Sequence, residues 1–184
     1  MAAVLILIVG GGVGAWATLS SGGNSTTQAG GSPSTSPAAS TSSAKPTSPP
    51  GGGVVAVASG VAQTGTETTV IAFLDSYFTA INDYNFQAYH VLLDAKMQRA
   101  ETAATFDRGY RSVHDSDIVL TRITSGSGQV VIASMTFTSH QPPSNSPSHS
   151  TCTLWNTTLY LTPQGNSYVI GQPPSNYHAA FHAC

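Results

Sequence analysis

The chain reads as an α+β protein with one folded domain at its carboxyl end, and three features say so. Apolar residues recur at helical spacing from Val70 to Ile81. Beyond His114 they alternate with a period of two. The first third of the chain is mostly Ser, Thr, Gly, Pro and Ala and cannot form a core. Helices first and hairpins after is the order of an α+β domain.

Residues 1–19 carry no charge and run AAVLILIVGGGVGAWATL after Met1. Their length just reaches that of a membrane span, and Trp16 near the outer end suits an interfacial anchor. Ala15-Trp16-Ala17 also offers a small-x-small cleavage site, so a signal peptide is the second reading. Both readings expect Lys or Arg ahead of the apolar run; none is present, which leads us to expect a native start upstream of Met1. No Cys follows the run, which excludes a lipoprotein anchor. The expected localisation is the cell envelope, with the domain outside the membrane; secretion is the alternative.

Residues 20–65 are expected to be a disordered linker. Gly and Ser make it flexible and the scattered prolines extend it, over about 35–40 Å root-mean-square. Its Ser/Thr density with Pro is that of an O-glycosylated stalk. Asn24-Ser25-Thr26 and Asn156-Thr157-Thr158 match the N-glycosylation triplet, a pattern common by chance.

The domain is expected over residues 66–184. Thr64 and Glu67 have capping-box spacing ahead of the first helix. Val70, Phe73, Leu74, Tyr77, Phe78 and Ile81 share one face of it, and Asn82-Asp83 ends it. Asn85 can cap a second short helix with Phe86, Tyr89, Leu92 and Leu93; Thr102 or Thr105 can start a third with Phe106, Tyr110 and Val113. The expected strands are Ile118–Ile123, Val130–Thr138, Thr153–Thr162 and Ser167–Gly171. Turns fall at Ser125–Gly128 and Pro163–Asn166, a Pro/Ser loop at Gln141–Ser150, and a tail from Gln172.

Charged residues make up 8% of the chain and the net charge is −2, so no electrostatic footprint for nucleic acid exists. Lys96, Arg99, Arg108 and Arg111 cluster around Glu101 and Asp107 and read as a solvated helical face. A surface of Ser, Thr, Asn, Gln and His suits an exported protein in variable or acidic surroundings.

With VIAFLDSYFTAIN, DYNFQAYHVLLD, TFDRGYRSV and the hairpins that follow, the stretch from Val70 to Gly171 resembles the nuclear transport factor 2-like superfamily. The resemblance implies a cone: a curved antiparallel sheet wrapped around a long N-terminal helix, with a pocket at the wide end. The family includes isomerases, polyketide cyclases and dehydratases beside many non-catalytic members. Among these are anchored extracytoplasmic bacterial domains, which the order of apolar segment, linker and domain resembles most. Paired cones sharing a sheet face are common there, so a homodimer is one arrangement it implies.

Cys152 and Cys184 are the only cysteines, and an even pair in an exported chain reads as a disulfide. His178 and His182, at i and i+4, would share a metal ion if helical, but HAAFH lacks the glutamate of a metalloprotease helix. His140 and His149 flank the Pro/Ser loop and are expected in solvent. The candidate catalytic residues are Tyr77, with Tyr89 beside it, Asp94 and His114. A Tyr hydroxyl can donate to an enolate and a desolvated Asp can take a proton. His114-Asp115 can form an acid/base pair. Each candidate also has a plain structural role: core aromatics, a helix end, and, for His114-Asp115, the turn before the first long strand. No nucleophile elbow, phosphate loop or CxxC is present, and no cofactor is implied. The expected function is therefore a non-catalytic envelope module with a small apolar pocket, its partner a small apolar ligand or an envelope protein. A cofactor-free isomerase, cyclase or dehydratase and a purely structural surface domain are the alternatives.

Overall fold

A computed structural model describes residues 52–61 and 65–184. The apolar segment, most of the linker and Thr64 lie outside them. The first helix, α1, spans Gly65–Asn82 and buries all six residues of its expected apolar face, together with Glu67 and Ala80. Three short helices follow: α2 (Phe86–His90), α3 (Ala95–Ala100) and α4 (Ala103–Tyr110). The Asn85 side chain caps α2 through the Ala88 N–H, and Thr102 and Thr105 cap α4 reciprocally, as the sequence suggests. The sequence does not announce α3, which is only 6 residues long; Asp94 starts it by accepting from the Lys96 and Met97 amides.

Among the described residues six strands form one sheet: β1 (Val55–Val57), β2 (His114–Ser125), β3 (Val131–His140), β4 (Cys152–Gln164), β5 (Ser167–Gly171) and β6 (Ala180–Ala183). Their order is β1-β2-β3-β4-β5, with β6 also on β4. The expectation of a wholly antiparallel sheet needs correcting: β1 runs parallel to β2, so the sheet is mixed. β1 also takes residues assigned to the linker. Three residues are too few to show an alternating pattern, and their place is secured from α1. The Asp75 carboxylate accepts from the Val55 N–H at 2.9 Å. Gly53 packs so closely on that carboxylate that a Cβ there would sit 2.3 Å from an oxygen.

Along β3 and β4 the alternation is the expected one. Ala133, Met135 and Phe137 are buried, as are Trp155, Thr157, Leu159 and Leu161. They close over α1, with Phe78 meeting Phe137 at 5.2 Å between ring centroids. Gly165 takes the positive φ (59°) that the two-residue hairpin loop between β4 and β5 requires.

The tail differs most from expectation. It holds β6, which no alternation of apolar and polar residues announces. The free edge of β4 is shared: β5 pairs with Tyr160–Gln164, and β6 with Thr153–Asn156. In the interval between them the Thr158 N–H donates to the Tyr177 hydroxyl at 2.6 Å. Cys152 and Cys184 form a disulfide with Cα atoms 5.5 Å apart, fastening the end of β6. Closing a loop of 32 residues stabilises a fold by on the order of 3–4 kcal/mol. Reduction should lower the urea midpoint accordingly, with Cys152→Ser and Cys184→Ser each reproducing the loss. Two alkylatable thiols in the native, unreduced protein would contradict this.

Candidate functional site

Asp115 occupies the inward position next to His114 at the start of β2. Asn82, the last residue of α1, puts it there. Its Nδ2 donates to the Asp115 carbonyl at 2.8 Å, and its Oδ1 accepts from the Asp115 N–H at 2.7 Å. Both backbone groups of Asp115 are thus directed to the helix end and away from β3. The cross-strand pair Asp115/Ser139 is consequently of the non-hydrogen-bonded kind, in which side chains lie closest.

The Asp115 carboxyl is buried, at 2% exposure, and neither oxygen has a hydrogen-bond partner among the described residues. The same holds for the Ser139 hydroxyl, the Gln141 amide and the Trp155 indole N–H. Ser139 stands opposite Asp115, Thr153 is the β4 partner of Ser139, and Gln141 follows two residues on. These orphaned groups lie in adjoining rows of the sheet's inner face. Their neighbours are satisfied: Ser146 and Ser148 bond the Thr153 hydroxyl at 2.8 and 2.7 Å from beneath the Pro/Ser loop. Burial pushes the Asp115 carboxyl up to about 7. The Ser139 hydroxyl opposite pulls it slightly down without reaching hydrogen-bond geometry.

Beside this layer the interior is filled with rings. Phe137 stacks on Trp155 at 6.2 Å, and at the rim Trp155 meets the exposed Phe181 of β6 at 5.2 Å. On the helical side Tyr77, Tyr89 and Tyr110 form a second group, with the Tyr89 and Tyr110 hydroxyls 3.3 Å apart. Burial raises all three phenols, and the Asp115 charge adds to the rise at Tyr77. A cavity of about 10 Å³ lies among Tyr77, Tyr89, Leu93, Met97, Leu159 and Ile170. That is room for about one water molecule.

The sequence-predicted residues do not converge on one site. Tyr77 is a core residue of α1. Asp94 caps α3 and joins it to β5 through its N–H on the Ile170 carbonyl at 2.9 Å. His114 is exposed, on the sheet face opposite to Asp115. The histidines of HAAFH share no helical face, because the segment is extended: His178 precedes β6 and His182 lies within it. Among the described residues no group of three or more metal-ligating side chains exists, and no helix is long and apolar enough to cross a membrane. The sequence pairs Asp115 with His114 as an acid/base candidate but reads the two as a turn; instead both lie within β2, His114 exposed and Asp115 buried, so they face opposite ways and form no pair. Asp117, with a φ of 51°, sits in a bulge between Ser116 and Val119, so the inward set shifts register between Asp115 and Ile118 and hides Asp115 from a period-two reading. No family model, curated protein or solved structure matches the chain.

A carboxyl whose pKa rises from 3.8 when free to about 7 when folded favours the fold in its protonated form. That stability is fully present below pH 4 and is lost as pH climbs through 7. The groups that act on Asp115 or feel it are Ser139 on β3 and Tyr77 on α1, neither of them cationic. The unfolding free energy from urea titration should fall between pH 4 and pH 7.5, by on the order of 4 kcal/mol at most. Asp115→Asn should flatten the profile and stabilise the protein at neutral pH. A variant profile parallel to the wild type would show that the carboxyl is solvated. Asn82→Ala, which strands two backbone groups, should cost roughly 2 kcal/mol by denaturant titration.

Proposed function

We propose that the chain is a non-catalytic interaction module of the cell envelope. In this reading the amino-terminal segment holds it at the membrane, the linker spaces it, and the domain meets a protein partner through its surface. The observation that carries the reading is the filled interior. Phe78, Phe137 and Trp155 occupy the centre, and the cavity beside Tyr77 has a volume of only about 10 Å³. A drug-sized ligand needs about 300 Å³ or more. The small apolar ligand expected from the sequence has little support, and the partner's surface takes its place. A cone-shaped domain of the nuclear transport factor 2-like kind fits the order of elements, α1 first and the hairpins after.

A second reading rests on Asp115. A buried carboxyl near pH 7 beside a tyrosine is the equipment of a cofactor-free isomerase, cyclase or dehydratase. Against it stands the same filling: a base must come within hydrogen-bond reach of the proton it removes.

Two measurements on the native protein test the first reading. In intact cells, added protease should remove the domain from a chain that sediments with membranes; full protection of the domain would end the envelope assignment. Native mass spectrometry of the purified full-length chain should give the bare mass. A retained small molecule would return the interior to the status of a binding site.

A further inference from the structure

His114 and His140 are Cα partners across β2 and β3. Both are exposed, on the face of the sheet away from Asp115 and Ser139. Because Asp115 turns its backbone groups to Asn82, the adjoining pair His114/His140 is of the hydrogen-bonded kind, with Cα atoms about 5.5 Å apart. Side chains directly opposite on one face of such a pair have Cβ atoms roughly 4.5–5.5 Å apart. Histidines at i and i+4 of a helix, about 5–6 Å apart, supply two ligands to a single Zn²⁺ at close to the same separation, a third group completing the protein's set.

We propose that His114 and His140 form a two-histidine site for a borderline divalent ion of the Zn²⁺, Ni²⁺ or Cu²⁺ class. Imidazole suits these ions, and neither histidine sits on a loop. The Asn82 amide clamps the backbone next to His114. His140 pairs on its other side with Cys152, which the disulfide ties to Cys184. Both ligands therefore project from strands held at their ends, so little ordering accompanies binding. With no third ligating side chain grouped there among the described residues, water completes the coordination. The site is separate from the His178 and His182 pair suggested by the sequence, and it is independent of what occupies the domain's interior.

The test uses the full-length, metal-free chain titrated with ZnCl₂, followed by calorimetry and by the NMR signals of the imidazole C–H groups. One saturable site is expected, with the resonances of His114 and His140 shifting together and those of His178 and His182 unmoved. His114→Gln and His140→Gln should each abolish saturation, while His182→Gln retains it. Absence of saturable binding, or saturation that survives both substitutions, overturns the proposal. Should either variant fold poorly, the wild-type resonances decide alone: shifts confined to other histidines also overturn it.

Discussion

A helix with Val70, Phe73, Leu74, Tyr77, Phe78 and Ile81 on one side cannot remain in water. Fully burying such side chains is worth about 1.5–3 kcal/mol each, on the order of 10 kcal/mol across the face. Little else favours α1, whose residues include threonine, valine and isoleucine, modest helix formers. Its stability comes from the surface it covers. The other elements are arranged to complete that burial. β3 and β4 supply Met135, Phe137, Trp155 and Leu159, the short helices supply Tyr89, Phe106 and Tyr110, and β1 supplies Val55. Two polar side chains of α1 then set positions: Asp75 brings in β1, and Asn82 sets the start of β2.

What could be read from the sequence follows from this division. The face of α1, the caps at Asn85 and Thr102, the alternation in β3 and β4 and the disulfide all announce themselves by period or by residue type. Two of the elements that escaped, β1 and β6, owe their place to groups far away in sequence. β1 depends on Asp75, and β6 on the edge of β4 and on Cys152, so no local pattern marks either. The third, α3, is too short for a helical period to show. The candidate site was legible only in outline. Tyr77 was visible as a core aromatic. Asp115 was visible beside His114, but as part of a turn; the bulge at Asp117 concealed its inward place in β2, and its burial comes from β3 and α1 together.

The inner face of the sheet sets two kinds of polar group side by side. The hydroxyls of Ser146, Ser148 and Thr153 satisfy one another. Asp115, Ser139, Gln141 and Trp155 do not find partners among the described residues. An uncompensated carboxylate in such surroundings is expensive, so the carboxyl keeps its proton until pH approaches 7. The low charge of the whole chain has a counterpart here: its most deeply buried acid is neutral in mildly acidic solution.

The chain enters its domain through β1, and this gives the attachment a mechanical character. Tension arriving along the residues before Gly53 loads the three-residue ladder to β2 and the Asp75 clip before it reaches α1. Those contacts are few and lie at the margin of the sheet, so they yield first. The ten residues from Val55 to Gly65 reach at most about 33–36 Å when fully extended, and release gains that length less the separation the two ends already have in the fold. Load entering from that side therefore meets a three-residue parallel ladder and one carboxylate contact ahead of the ring-packed interior.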